Sequence, residues 1–397
     1  METTTGSSGN GDRGSPPYRR GLANVGNTCG LNALLQCIAH TDQLRDFFLL
    51  ASCVDQVRDA EGMTDGKGGR QFSIVKELKL LLRQLWLDKA EGEEEGAEVG
   101  IIPRRFARSF EEATRGRIDY GDQMDMSEVW MVLLDAFERE LQQVPKLERD
   151  MVLQDVPWGS LLNASAIADT GFLKMADQAK STWTKFLEKL PAAWASLVNG
   201  IQVGQIVCGN EKCKHVHHNF EPFSCISIDI PEREPGATNH AVHLGECFAQ
   251  YFRAEMMSEW VCDKCKVASG SVNNAAEKLT RFWWAPKVLV VALKRFRQRP
   301  DGRLSKSHVP IDIPPSFDFL PGTELARWNS RVDAGKYELR AIGCHFGSLH
   351  GGHYTALAQE HGKWYHFDDM RISAVSAEQI LKNNSHAYML FYERAIA

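Results

Sequence analysis

The sequence predicts an α+β fold with a helical front and a strand-rich back, and three observations point to it. Apolar residues recur at three- and four-residue spacing up to about residue 200. Beyond about residue 203 the period shortens to two, and the apolar segments become short, separated by Gly, Asn and Asp. Two residues that can do chemistry together, Cys29 and His353, lie near opposite ends of the chain, so they would meet in a cleft between layers.

The elements follow in chain order. Residues 1–18 are rich in Gly, Ser and Thr without an apolar stretch, which reads as a disordered tail and not a secretory signal. Leu31, Leu34, Leu35 and Ile38 follow Cys29 at helical spacing, so Cys29 falls at a helix start. Residues 72–86 and 126–137 carry the same period, and the acidic run 90–98 between them reads as a solvated loop. Trp183, Phe186, Leu187, Leu190, Trp194 and Leu197 make 161–197 a helical packing surface broken at Pro191. Residues 226–230 alternate like a half-buried strand, and 287–293 form an unbroken apolar run suited to a strand buried on both faces. Short strands are expected at 337–345, 354–358, 363–367 and 387–392; Gly351 and Gly352 read either as a hairpin turn or as a place where backbone or a flat substrate approaches closely beside His353. No internal repeat is present.

Composition limits the function. The 397 residues, 43% hydrophobic and 24% charged, can bury a sizeable core. A net charge of −5 argues against a general nucleic-acid binder. No run of apolar residues is long enough for a membrane span. Ten cysteines without a secretory signal point to a reducing compartment, cytoplasmic or nuclear, where thiols and metal ligands are expected in place of disulfides.

Three short runs carry chemistry. Cys29 stands in Gly-Leu-Ala-Asn-Val-Gly-Asn-Thr-Cys-Gly-Leu-Asn, residues 21–32, where the positive end of a helix favours a thiolate. His353 stands in Gly-Gly-His-Tyr-Thr, residues 351–355, and an imidazole near a thiol is what generates the nucleophile. Residues 362–370, Gly-Lys-Trp-Tyr-His-Phe-Asp-Asp-Met, offer Asp368 or Asp369 to fix the imidazole tautomer. Asn24 can present a side-chain N–H to a developing oxyanion.

In this order and separation the three runs resemble the ubiquitin-specific proteases, which are papain-like cysteine isopeptidases. The resemblance extends to residues 123–130, an acidic box, to 282–296, which end in Leu-Lys-Arg-Phe, and to 387–392. It covers roughly residues 20–394. It implies a papain-like catalytic domain over 19–397, with a helical thumb at about 20–200 and a β-rich palm with fingers at about 201–397. It implies Cys29 as nucleophile, His353 as general base, Asp368 as its orienter, Asn24 as oxyanion donor and Asp369 as support on the oxyanion side. It further implies that Asp125 and Glu128, three apart and sharing a helix face, meet arginines near the C-terminal tail of the modifier. No cofactor is implied for catalysis.

Three positions depart from the family pattern. Gly30 stands where an aromatic residue is usual, which predicts loose packing behind the nucleophile. Ser127 and Trp130 replace the usual residues of the acidic box. The third departure is in a metal site: Cys208 and Cys213, then Cys262 and Cys265, read as two pairs on strand-like knuckles and suggest a structural Cys₄ zinc site at the finger tips. The first pair has a four-residue gap, and His215, His217 and His218 are nearby substitutes. The other cysteines, Cys37, Cys53, Cys225, Cys247 and Cys344, lie in apolar surroundings and read as core.

The expected function is therefore a thiol-dependent hydrolase that cleaves after the C-terminal Gly-Gly of ubiquitin or a ubiquitin-like modifier on a protein, with no nucleic-acid or membrane partner. The rival is a catalytically weak or inactive ubiquitin-binding scaffold of the same fold. A general peptidase is a third reading, and a fingers insert serves no obvious purpose for short peptides.

Overall fold

The computed structural model describes residues 19–57, 72–87, 100–114, 124–144, 170–232, 241–269, 274–298, 302–318, 336–348 and 351–395. The expected disordered tail, the acidic run 90–98 and the first part of 161–197 lie outside these residues.

The front of the chain is helical, as the period predicts. Helices α1 (Cys29–Ala39), α2 (Asp42–Leu50), α3 (Ser52–Gln56), α4 (Ile74–Trp86), α5 (Arg104–Ala113), α6 (Met126–Leu141), α7 (Thr170–Leu187) and α8 (Ala192–Val198) follow one another. Pro191 separates α7 from α8, because its ring cannot continue a helix. All 11 residues of α1 are buried. A helix buried all round lies between layers, and α1 packs against α2 and α6 on one side and the main sheet on the other.

The strands form two main sheets. β1 (Gly200–Cys208), β2 (Val216–Phe223), β5 (Glu255–Trp260) and β6 (Asn274–Trp284) make an antiparallel sheet in the order β2-β1-β6-β5. Between them in sequence come β3 (Ile226–Asp229), β4 (Val242–His243), α9 (Leu244–Tyr251) and, after β5, α10 (Asp263–Ser269). The chain continues with β7 (Val288–Lys294), β8 (Phe296–Gln298), β9 (Leu304–Lys306), β10 (Ile311–Asp312), β11 (Ser316–Asp318), β12 (Lys336–Ser348), β13 (Gly351–Glu360), β14 (Lys363–Asp368), β15 (Arg371–Val375), α11 (Ala377–Leu381) and β16 (Ala387–Arg394). The main sheet runs β15-β14-β13-β12-β16-β7-β3, with β11 also paired to β12.

Two cores cover the faces of this sheet. In β7, Val288, Val290 and Ala292 join the core under the helices, while Leu289, Val291 and Leu293 join the core on the far face. Burial on both faces explains the unbroken apolar run. The architecture is thus α+β: a helical thumb, a palm sheet and a four-stranded fingers sheet.

One expectation is corrected. Gly351 and Gly352 do not form the turn; they open β13, paired with Ser348 and Gly347 of β12. A Cβ on Gly352 would lie 2.1 Å from His345 Nε2. Glycine is therefore required there for the close approach of His345, immediately beside His353.

Candidate active site and cysteine cluster

Cys29 opens α1. Thr28 at the N-cap makes no side-chain capping bond, so the first N–H groups of the helix remain available. The backbone N–H groups of Tyr354 on β13, of Gly30 and of Cys29 itself favour the thiolate. Burial pushes the Cys29 thiol up; these N–H groups oppose the rise, and the nearby charge of Asp369 adds to it. The net is a thiol held above its ordinary value, so the resting group is protonated at neutral pH. Gly30 is not a packing defect. A Cβ there would lie 2.8 Å from the Met124 carbonyl, so the backbone before α6 fills the space behind the nucleophile.

Tyr354 directly follows His353, and α1 packs against their strand β13, which brings the two ends of the chain together. His353 Nε2 lies 2.5 Å from Asp368 Oδ1, at the end of β14. A carboxylate accepts only, so Nε2 carries the proton and Nδ1 is left for a proton from a thiol. In this conformation no hydrogen bond joins His353 to Cys29 among the described residues. Behind this strand His345 is buried, with its ring 4.6 Å from that of Tyr354. Burial and then the Lys306 charge bring its pKa down to about 4, so it stays neutral.

The oxyanion side is built by a strap. Leu22 N–H donates to the Asp369 carbonyl at 2.9 Å, and Ala23 N–H to the Ile101 carbonyl at 2.8 Å. Residues 21–23 are thereby fixed between the β14–β15 turn and the segment before α5. The side-chain oxygen of Asn24 then accepts from Gly26 N–H at 3.2 Å and Thr28 N–H at 3.1 Å, closing the turn into α1. This fixes the amide the other way round: Nδ2 donates to Asp369 Oδ2 at 3.1 Å. An amide has two N–H groups, so one remains for an oxygen beside Cys29. Asp369 adopts φ +50°, and one of its carboxylate oxygens lies within 4.8 Å of an Asp368 oxygen and a His353 ring nitrogen.

Asp125 is the N-cap of α6, not a member of the helix, so it does not share a helical face with Glu128 as the spacing predicts. Its Oδ1 accepts from Ser127 N–H at 2.8 Å, Glu128 N–H at 3.2 Å and the Ser127 hydroxyl at 2.5 Å. Its Oδ2 accepts from Tyr388 at 2.6 Å and Tyr354 at 3.1 Å. Glu128 is exposed in the first turn of α6. Trp130 is fully buried edge-on against Phe391, with centroids 5.8 Å apart. The two departures in this box therefore pin α6: Ser127 through Asp125, and Trp130 through the core.

The four cysteines converge at the fingers. Cys208 Sγ lies 3.8 Å from Cys265 Sγ, and Cys213 Sγ lies 3.7 Å from Cys262 Sγ. All four sulfurs lie within 4.8 Å of one another. Sulfurs at about 2.3 Å from a tetrahedral zinc would be about 3.8 Å apart, so the donor set fits a metal ion. The four-residue gap is absorbed by a turn in which Asn210 accepts from Lys212 N–H through its side chain and from Cys213 N–H through its carbonyl. The second pair sits at the start of α10, not on a strand-like knuckle: Lys266 N–H donates to the Cys262 carbonyl in a helical turn. The three histidines are not members of this group.

Sequence reasoning missed Tyr354 and Tyr388 as partners of Asp125, and Asn32 as a partner of Asp369. The tyrosines lie in strands whose period fits core packing equally well, and no spacing connects residue 125 to residue 388. Asn32 carried a signal: with Gln36 one turn on, it is a polar residue on a helix that is otherwise apolar and wholly buried.

Comparison with known proteins agrees with this geometry. The sequence model of the family described as ubiquitin carboxyl-terminal hydrolase matches residues 20–392. Human ubiquitin carboxyl-terminal hydrolase 21 is 30% identical over 386 residues, covering 94% of this chain and 61% of that protein. Ubiquitin carboxyl-terminal hydrolase 4 of Saccharomyces cerevisiae is 27% identical over 398 residues, covering 94% of this chain and 39% of that protein. The chain thus spans between about two fifths and three fifths of these relatives' lengths. Among solved structures, a chain of the SAGA DUB module Ubp8/Sgf11/Sus1/Sgf73 bound to monoubiquitin superposes with TM-score 0.67 at 20% identity, covering 100% of this chain and 72% of that one. A chain of the same module bound to ubiquitin aldehyde gives TM-score 0.65 at 19% identity, with the same coverage. At these identities the structures establish the fold.

Proposed function

The chain belongs to the ubiquitin carboxyl-terminal hydrolase family, and from that premise we propose that it is a cysteine-type deubiquitinase, a thiol hydrolase that removes ubiquitin from proteins by cleaving after the C-terminal Gly-Gly. A ubiquitin-like modifier is the alternative substrate of the same site. The observation that carries the proposal is the convergence of the chain ends: α1, opened by Cys29, packs against β13, whose His353 is held by Asp368 at 2.5 Å.

The reaction follows from these positions. His353 Nδ1 takes the Cys29 proton as the thiolate attacks the terminal glycine carbonyl. Charge developing on that oxygen meets the free N–H of Asn24 and the N–H groups at the start of α1; one such donor is worth roughly 10²–10³ in kcat. The imidazolium, steadied by Asp368, gives its proton to the departing lysine amine. Water activated by His353 then releases the modifier from the sulfur. Glu128, exposed in the first turn of α6, is the carboxylate free to meet a basic tail, because Asp125 is committed to five internal donors.

Cys208, Cys213, Cys262 and Cys265 hold a structural zinc that ties β1 to the segment after β5. The sulfur spacing supports this reading. Ten free cysteines are consistent with work in a reducing compartment, the cytoplasm or nucleus.

The test is a panel of C-terminal electrophilic probes built on ubiquitin and on ubiquitin-like modifiers, read by intact mass. One adduct is expected on the wild type with the ubiquitin probe and none on Cys29→Ala. Retention of the adduct in that variant would overturn the nucleophile. Absence of adduct with every probe would overturn the hydrolase reading in favour of a binding scaffold.

A further inference from the structure

Asn32 lies one helical turn after Cys29, on the side of α1 that faces the strap, and is 2% exposed. Its Nδ2 lies 2.8 Å from Asp369 Oδ1, 3.2 Å from the Ala23 carbonyl and 3.3 Å from the Leu22 carbonyl. Three acceptors around one atom identify it as the amide nitrogen; an oxygen there would face three oxygens. Its own Oδ1 is buried without a partner. A buried amide that leaves its acceptor unsatisfied to aim its donor group at a carboxylate carries a cost of about 1–3 kcal/mol. Simple packing of α1 would be served better by an apolar residue.

The Asp369 carboxylate is shared between two amides. Oδ1 takes Asn32 and Oδ2 takes Asn24, at 2.8 Å and 3.1 Å. Asp369 therefore has a fixed plane only if both bonds are made. Gly26 and Thr28 N–H hold the Asn24 amide oxygen, and the Asp369 carboxylate holds its nitrogen, so the plane of Asp369 completes the direction of the second N–H of Asn24. Asn32 also bonds the carbonyl of Ala23, the residue just before Asn24. It reaches the oxyanion donor by two routes, through the backbone and through Asp369, from the same helix that presents the nucleophile.

We propose that Asn32 is a positioning residue for the oxyanion hole, locking Asp369 so that Asn24 points its free N–H at the oxygen beside Cys29. Asn32 touches no substrate atom. It couples the register of α1 to the direction of the donor, so that sulfur and oxyanion donor move together. This inference rests on the proposed hydrolase reading.

The experiment measures affinity for two ligands on the wild type, Asn32→Ala, Asn32→Asp and Asp369→Ala. A ubiquitin C-terminal aldehyde adds the Cys29 sulfur to its carbonyl carbon, and the thiol proton passes to the oxygen, giving a tetrahedral adduct that uses the oxyanion hole. Ubiquitin with its free carboxylate binds the same surface without forming that adduct. Asn32→Ala is expected to weaken the aldehyde about tenfold, part of the effect of a lost oxyanion donor. kcat/KM should fall by the same factor, with affinity for the free carboxylate form unchanged. In an Asp369→Ala background Asn32→Ala should cost little more. Asn32→Asp is isosteric and covers the case in which the alanine variant does not fold. It sets a carboxyl against Asp369, and a proton shared between them restores a donor. Its kcat/KM relative to wild type should therefore recover as pH falls from about 8 to about 6.

Equal loss of both ligands would mean that Asn32 supports only the fold. Unchanged aldehyde affinity, full additivity with Asp369→Ala, or a pH-independent ratio for Asn32→Asp would each overturn the proposal. A wild type that binds no ubiquitin aldehyde would instead overturn the choice of modifier. The same series with a short Gly-Gly aldehyde, which needs no modifier body, then still reads the oxyanion hole.

Discussion

Tyr388 donates its phenol to Asp125 across 2.6 Å, tying the closing strand of the palm sheet to the first residue of the α6 cap. Tyr354 donates to the same oxygen at 3.1 Å from the strand that carries His353. Burial raises both phenols, with the Asp125 charge adding to the rise, so they stay protonated and can only gain by donating. Asp125 is thus a junction of α6, β13 and β16.

A junction and a tail-binding carboxylate fail differently. Asp125→Ala removes an N-cap and leaves two phenols without an acceptor, for an expected loss of about 2–4 kcal/mol in urea unfolding. It should also lower kcat on full-length ubiquitin and on a small Gly-Gly ester alike, because the His353 strand loosens. Glu128→Ala should leave stability and the ester unchanged while raising KM for ubiquitin several-fold. Wild-type stability in Asp125→Ala, with loss confined to ubiquitin, would return Asp125 to the role of a tail ligand.

The Cys29 thiol sits above its ordinary value through burial and the Asp369 charge, although the backbone N–H groups of Tyr354, Gly30 and Cys29 favour the thiolate. Alkylation of Cys29 by iodoacetamide in the free protein should therefore keep rising through the alkaline range, without a plateau near neutrality. Asp369→Ala removes one cause of the rise and should shift the curve to lower pH. A rate already at its maximum near pH 7 would mean that His353 and Cys29 form an ion pair before substrate arrives.

Much of this site was legible in the sequence because its parts are local. The helix start at Cys29, the strand ending at Asp368 and the paired glycines before His353 each follow from a few neighbouring residues. What could not be read were relations between distant backbones. The strap between Leu22 and Asp369 depends on a hydrogen bond between main-chain atoms, which carries no residue preference. Gly30 read as a loss beside the nucleophile because the Met124 carbonyl that fills the space comes from another element. Asp125 read as a helical residue because an N-cap and a first-turn carboxylate differ by one position, and only the backbone angle decides between them. The fold class was legible for a simpler reason: the change of period near residue 200 coincides with the start of β1 at Gly200.

The cysteine cluster makes a prediction that does not depend on activity. Purified protein should contain one zinc per chain, and Cys262→Ser or Cys265→Ser should release it. The strands that carry the site have little core around them: the buried cluster there consists of Cys208, Cys262 and Cys265, with Cys213 and Trp260 against it. Metal loss should therefore lower the melting temperature and increase proteolysis between residues 200 and 284. Alkylation of Cys29 should change little. Well-folded protein without zinc, resistant to proteolysis in that region, would mean that the sulfurs are held by packing alone.

The far end of α1 gives the last prediction. Glu360 is buried, and its carboxylate accepts from Arg19 Nε at 2.9 Å and lies 3.0 Å from His40 Nε2, the residue that caps α1. Burial alone would push Glu360 up, but the hydrogen bond and charge of His40, followed by Arg19, outweigh it and hold the carboxyl below its ordinary 4.5. A carboxyl with a depressed folded value contributes stability that is fully present above the unfolded value and is lost as pH falls through the folded one. The unfolding free energy should thus drop on acidification below about pH 4.5, the ordinary value. Glu360→Gln should be less stable than wild type at neutral pH, since it removes the charge that both partners face. The gap should close as acid protonates Glu360 in the wild type. Urea midpoints for the two proteins between about pH 3 and pH 7 measure this directly. A gap that stays constant across that range would show that the Glu360 carboxylate contributes packing and not charge. A gap that widens in acid would reverse the sign of the argument and place the titrating group elsewhere.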